Sequence, residues 1–213
     1  IDSLQPLKSL RESQGLRVAL VNLEDIYDEF NFGEKSPQAI KDFLVLAKSN
    51  WRKPPRFALL VGDASLDPRN YLGMGYFDFV PTKLVDTQIL ETASDDWFVD
   101  INNDGLPEMA IGRLPVRTVE EANIVVSKII GYEKSGKKNE ALLVADRMDN
   151  PNDFNFEGAS EEVRGLLPGY ITVRNIFRSR FSSDAYVKQE LLSDINLGPL
   201  LVNFIGHGSV EVW

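Results

Sequence analysis

The 213 residues include no cysteine and one histidine, His207. Without a thiol, no disulfide, thiolate metal site or cysteine nucleophile forms within them. Long apolar runs are also missing. Runs such as residues 57–61 and 200–202 fall far short of the roughly 20 residues that a membrane-crossing helix needs, so no membrane span is expected. Positive charge is the minority sign, with 23 Lys and Arg against 32 Asp and Glu and a formal net charge of -9. Phosphate binding needs a concentrated basic surface. Here the basic residues are scattered, Lys137-Lys138 is too short to make such a surface, and nucleic acid is not an expected partner. The start, Ile1-Asp2-Ser3-Leu4, has neither Met nor a basic region followed by an apolar signal core, which fits a processed or excised segment. Gly73-Met74-Gly75-Tyr76 is not followed by the Lys and strand-to-helix turn of a phosphate loop, and no organic cofactor is expected.

What is present is the composition of a core-forming globular protein, 43% hydrophobic and 26% charged. Residues 15–21 read as a strand. Ser36-Pro37 then supplies a helix N-cap with Pro at the first helical position, and Ala39, Ile40, Phe43, Leu44 and Ala47 share one helical face. Residues 56–61 form a second short strand that closes on Gly62-Asp63, completing a βαβ unit. Residues 68–104 are rich in Gly, Asp, Pro and aromatics, with a hairpin arm at 83–89. A strand at 108–113 leads to Thr118-Val119-Glu120-Glu121, a capping box, and to an amphipathic helix marked by Ala122, Val125, Val126, Ile129 and Ile130. After the polar linker at 134–139 the pattern restarts, with strands at 141–145, 170–176 and 200–205 and helices at 160–167 and 184–195. This alternation predicts an α/β fold of two subdomains, 1–135 and 140–213, each with a parallel sheet flanked by helices. The last strand is expected inside its sheet, which leaves the second subdomain incomplete with an open edge, a feature natural sheets avoid.

His207 follows that last strand, at the carboxyl end where ligands and catalytic groups collect in open parallel sheets. Between Gly206 and Gly208 it has little side-chain cover, so it is either a turn residue or one presented for chemistry. A second candidate lies in "SDDWFVDINNDGLPE". Asp100, Asn102 and Asp104 alternate oxygen-bearing side chains ahead of Gly105, the opening spacing of a calcium loop. The distal half departs from the EF-hand pattern, because Glu108 is the ninth residue and Ile111 takes the twelfth place, where a bidentate Glu belongs. A structural Ca2+ on Asp100, Asn102, Asp104 and Glu108 therefore competes with a plain Asx-rich turn. Asp63 and Asp67 lack the Lys and Thr partners of a phosphoacceptor site and read as loop-fixing residues.

"VNLEDIYDEFNFGEKSPQAIKDFL", "LLVGDASLDPRNYLG", "TASDDWFVDINNDGLPEMAIGRLPVRTVEEANIVVSKIIGYE" and "LLVADRMDN" resemble, in this order, segments of the gingipain family of cysteine peptidases. "NFIGHGSVEVW" resembles that family's histidine motif, and the likeness covers nearly the whole chain. The resemblance implies a caspase-like second subdomain in which a cysteine thiolate attacks a peptide carbonyl and a histidine protonates the leaving amine. His207 matches that histidine, and a side chain titrating near working pH suits general acid/base work. Gly208 matches the residue whose backbone N–H helps hold the oxyanion, where glycine allows close approach. Asp146, ending "LLVAD", matches the acid that orients the histidine, although it is shorter than the family's Glu and also reads as a loop cap. In members that cut after basic residues, an acid from the following loop lines the specificity pocket, because a desolvated Arg or Lys needs a paired charge. Glu157 and then Asp153 are the candidates, against a solvated acidic loop before a helix. Calcium sites in similar Asp/Gly-rich segments of the family add to the case for residues 100–108.

The family's nucleophile would follow the next strand after the histidine, and this sequence stops at Trp213 with no cysteine. The resemblance therefore implies a catalytic-domain fragment of a cysteine endopeptidase, inactive as given, or a shortened member, and the open sheet edge favours the fragment. The competing function is a non-catalytic scaffold or interaction module, for example a secretion-associated one, that kept the fold. A protein or peptide substrate, a secreted or cell-surface bacterial setting, and a non-native dimer through the open edge complete the expectations.

Overall fold

The computed structural model describes residues 1–73, 75–88, 90–136 and 138–208. It divides into two compact units, Ile1–Ile130 and Gly131–Trp213. The first opens with helices α1 (Gln5–Ser13), α2 (Leu23–Asn31) and α3 (Pro37–Asn50). Helix α3 begins as its sequence dictates, with Pro37 in the first turn and the Ser36 hydroxyl accepting from the Gln38 N–H at 3.1 Å, a cap of the kind worth about 1 kcal/mol. Strand β1 (Phe57–Val61), the hairpin β2 (Lys83–Asp86) and β3 (Glu91–Ser94), strand β4 (Ala110–Leu114) and helix α4 (Val119–Lys134) follow.

Strands β1 and β4 pair in parallel, Phe57 opposite Ala110 and Val61 opposite Leu114. One core joins Ile26, Tyr27, Ala39, Ile40 and Leu44 of α2 and α3 to Leu60, Val80, Phe98, Val99 and Met109. Full burial of each large apolar side chain contributes about 1.5–3 kcal/mol. On the other face of this small sheet Phe57 and Leu59 remain exposed.

Residues 15–21 correct the sequence reading. Leu16, Val18 and Leu20 alternate half-buried with exposed neighbours, yet the segment pairs with no strand among the described residues. Period-2 patterning sets which side chains are covered, but a strand also needs a ladder partner, so the expected first βαβ unit does not form. The capping box also differs in detail. Thr118 Oγ1 accepts from the Glu121 N–H at 3.1 Å, but the Glu121 carboxylate receives the Arg117 N–H at 2.6 Å, one residue before the cap. The hairpin arm expected at 83–89 is β2, paired antiparallel with β3. Its predicted end, Ile89, lies outside the described residues, as do Met74 and Lys137.

The second unit runs β5 (Glu140–Ala145), α5 (Phe156–Leu166), β6 (Thr172–Phe177), α6 (Asp184–Asn196) and β7 (Leu201–Ile205). All three strands are parallel, in the order β6-β5-β7. Leu142, Val144 and Ile176 cluster with Val187 and Leu191 of α6. The alternate row carries Leu143 between Asn175 and Asn203, and Asn175 donates to Glu161 of α5 at 2.8 Å. Helices thus cover both faces, and a strand buried on both sides reads as a continuous apolar run, as β5 does. β5 takes the centre, with Ala141 to Ala145 all buried, while β7, the strand whose edge was expected to stand open, lies at an edge of the described sheet with Leu201 and Val202 exposed.

Candidate active site

From β5 the chain crosses by α5 to β6 on one side, then by α6 to β7 on the other. Strand order therefore reverses between β5 and β7, and open α/β sheets bind ligands in the crevice outside the carboxyl ends of such a pair. Asp146 is the first residue after β5 and His207 the second after β7. The Asp146 N–H donates to the Ile205 carbonyl at 3.0 Å, carrying the ladder one step beyond the strands and bringing the two ends together.

At that point Asp146 Oδ2 lies 2.9 Å from His207 Nδ1. The Arg147 N–H donates to Asp146 Oδ1 at 2.8 Å, which fixes the carboxylate so that its other oxygen meets the imidazole. Gly206 makes the approach possible. A Cβ there would stand 2.8 Å from Asp146 Cβ and 2.6 Å from the Phe204 ring. On another side the Phe156 ring meets the imidazole edge-on, centroids 4.8 Å apart and planes at 68°.

The hydrogen bond to Asp146 raises the His207 pKa above 6.5; exposure to water limits the opposing cost of desolvation, and the charges of Asp146, Asp153 and Asp149 add to the rise. For Asp146, burial pushes upward, but hydrogen bonds from the His207 ring and from the backbone of Arg147 and His207 outweigh it and hold the carboxyl below 3.8. With Nδ1 engaged by a carboxylate, Nε2 is the nitrogen available for proton transfer.

The loop between β5 and α5 separates the two substrate-binding candidates. Asp153 braces its own loop, accepting from the N–H groups of Asp149 and Asn150 at 2.8 and 3.0 Å and from Asn150 Nδ2 at 2.8 Å. Glu157, in the first turn of α5, accepts from the Ser179 N–H at 3.2 Å and lines an open hollow with Arg147, Met148, Asn155 and Ser179. Gly208 is exposed, and residues 209–213 lie outside the described residues.

In the first unit, one carboxylate oxygen from each of Asp100, Asp104 and Glu108 falls within 4.8 Å of the others. Asp100 accepts from the N–H groups of Asp104 and Gly105 at 3.0 and 3.1 Å, Asn102 Oδ1 accepts from Asp104 at 2.9 Å, and Glu108 accepts from Ile101 at 2.6 Å. The buried Lys41 anchors the loop, donating to Asn103 at 2.8 Å with its ammonium 4.4 Å from the Trp97 ring centroid. Asp63 pairs with Arg117 at 2.7 Å, and Asp67 accepts from the N–H groups of Tyr71 and Leu72 at 2.9 and 2.7 Å, so both fix loops.

A family model described as Peptidase family C25 matches residues 1–213. The chain belongs to peptidase family C25. No curated protein and no solved structure matches it. Membership makes the chain a cysteine peptidase-type domain, in a hydrolase family that acts on proteins. In this C25 domain, two residues that shape the site were not read as site residues from the sequence. Gly206 passes for a simple turn residue, its demand being contact with Asp146 far along the chain. Phe156 falls in the loop ahead of the helix expected at 160–167; its signal is an aromatic side chain immediately before the candidate Glu157.

Proposed function

We propose that this C25 domain supplies the histidine side of a cysteine endopeptidase active site, with His207 as general acid and base in peptide-bond cleavage. The observation that carries the reading is the 2.9 Å contact between Asp146 and the sole histidine at the β5–β7 crevice. In that reaction a thiolate adds to the peptide carbonyl carbon, and the oxyanion is held by the Gly208 N–H. The C–N bond breaks as His207 Nε2 gives its proton to the leaving amine. Neutral His207 then takes a proton from water as the oxygen attacks the thioester, and the thiol sulfur leaves. The chain has no cysteine, so by this route it cleaves no peptide alone. Glu157 on the hollow wall supports preference for an Arg or Lys side chain, since Arg147, which lines the same hollow, is paired with Asp149 at 2.9 Å.

The test uses a thiol-bearing protein that carries this domain. His207→Ala lowers kcat/KM by about 10²–10⁴, and Glu157→Gln narrows the preference for basic over neutral peptides. Alkylation-sensitive cleavage that survives His207→Ala would overturn the assignment. The competing reading is a non-catalytic scaffold that kept the fold. That reading gains if the protein shows no alkylation-sensitive turnover.

A structural Ca2+ held by Asp100, Asn102, Asp104 and Glu108 is also proposed. Its support is the convergence of three carboxylates within 4.8 Å and a donor set made only of oxygens, which suits a hard cation. Bound there, the ion would cross-link the loop ahead of β4. Calcium added at about 100 times its dissociation constant stabilises a folded protein by about 2.7 kcal/mol. A thermal midpoint indifferent to calcium and to chelator sinks the proposal.

A further inference from the structure

Asp146 fixes one point of the imidazole, Nδ1, and a ring held at one atom still pivots about it. His207 is 60% exposed in its side chain, so the remaining restraint matters. Phe156 supplies it from the first position of α5. Its ring contacts the imidazole edge-on at 4.8 Å and 68°, an arrangement aromatic rings favour. Phe154 in turn meets Phe156 at 5.4 Å and 62°.

The helix start that carries Phe156 is itself held in place. Asn155 Oδ1 caps it by accepting the Gly158 N–H at 2.9 Å. Asp153 braces the preceding loop, and Glu157 ties the first turn to the Ser179 backbone. Ser160, one turn further on, is fully buried. The Phe156 ring therefore meets His207 from a fixed platform.

We propose that Phe156 is a positioning residue for His207, setting the plane of the imidazole so that Nε2 is aimed while Nδ1 rests on Asp146. The inference builds on the reading of His207 as the acid/base. It gives the first residue of α5 a role in the reaction geometry as well as in packing.

His207 is the only histidine, so its Cε1–H proton gives one unambiguous NMR resonance in the full chain. That resonance would be followed against pH in the wild type, Phe156→Leu, Phe156→Tyr and Asp146→Asn, with amide spectra verifying each fold. Among the described residues, Asp146, just after β5, and Asp149 and Asp153, in the loop that follows, are the charged groups that act on His207. All three remain in the Phe156 variants, so a changed titration there reports geometry.

In the wild type a ring-current displacement and a pKa above 6.5 are expected. Phe156→Leu should lose the displacement and let the pKa fall back toward 6.5, Phe156→Tyr should restore both, and Asp146→Asn should keep the displacement but lose the raised pKa. Should Phe156→Leu not fold, Phe156→Met takes its place as the apolar variant without a ring. A ringless variant that leaves both features unchanged overturns the role of Phe156. A wild-type histidine with an ordinary pKa and no displacement overturns instead the underlying Asp146–His207 reading.

Discussion

Both units set carboxylates near the carboxyl ends of parallel strands, and they treat those charges in opposite ways. In the first unit arginines close on them. Arg113, near the end of β4, grips both oxygens of Asp95 at 2.7 Å and also donates to the carbonyls of Gly62 and Val80 at 2.8 and 2.6 Å. The Asp95 carboxyl is pushed up by burial but held below 3.8 by Arg113, with help from Thr82. A guanidinium stays charged at every relevant pH, so this lock is permanent. In the second unit Asp146 meets a histidine, whose charge comes and goes near neutrality. Asp95 follows β3 of the antiparallel hairpin and Asp146 follows β5 of the parallel sheet; the partner's chemistry makes one a framework and the other a site for proton transfer.

The largest expected effect comes from breaking the permanent lock. Arg113→Ala would leave Asp95 charged and partly buried and strip two carbonyls of a donor. Loss of about 3 kcal/mol is expected by chemical denaturation of the full chain. Arg113→Lys should recover only part, because one ammonium cannot reproduce the fork on Asp95 and the carbonyls together. A cost for Arg113→Ala under about 1 kcal/mol would mean that the knot is a surface pair.

Next in size is Gly206→Ala, which attacks the second unit where the framework of β7 meets the site. The new methyl would fall 2.8 Å from Asp146 Cβ and 2.6 Å from the Phe204 ring. Overpacking of this kind costs about 1–3 kcal/mol. It should also separate Asp146 from His207 and bring the histidine's pKa back toward 6.5. A variant of unchanged stability with the raised pKa intact would show that the strand ends approach less closely than described.

The elements most legible in the sequence were those whose signals are local. Ser36-Pro37 starts α3, and the apolar run of β5 is buried on both faces as its composition requires. Residues 15–21 failed because alternation fixes burial and not pairing. Helices α1 and α2 went unread because each is only nine residues long, too short for periodicity to stand out. Arg113 carried no local signal, since its acceptors come from the ends of other elements. The Asp146–His207 pair spans 61 positions; no spacing rule reaches that far, and family resemblance alone suggested it. Gly206 and Phe156 act through contacts made only once the sheet has formed.

The smallest effect, and the one that separates the two kinds of pair most cleanly, is a dependence on pH. The raised pKa of His207 means that its contribution to stability is fully present below 6.5 and is lost as pH rises through the higher folded value. The lowered pKa of Asp146 means that its contribution is present above 3.8 and is lost as pH falls through the lower folded value. The pair should therefore stabilise most between 3.8 and 6.5. Measured as the stability difference between wild type and Asp146→Asn, the effect should be modest, because both side chains face water and the pair is screened by salt. It should peak in that window and decline toward alkaline pH. The corresponding difference for Asp95→Asn should hold through neutrality and fall only as acid protonates Asp95, because Arg113 does not titrate there. Parallel profiles for the two variants above 6.5 would erase the distinction between lock and switch.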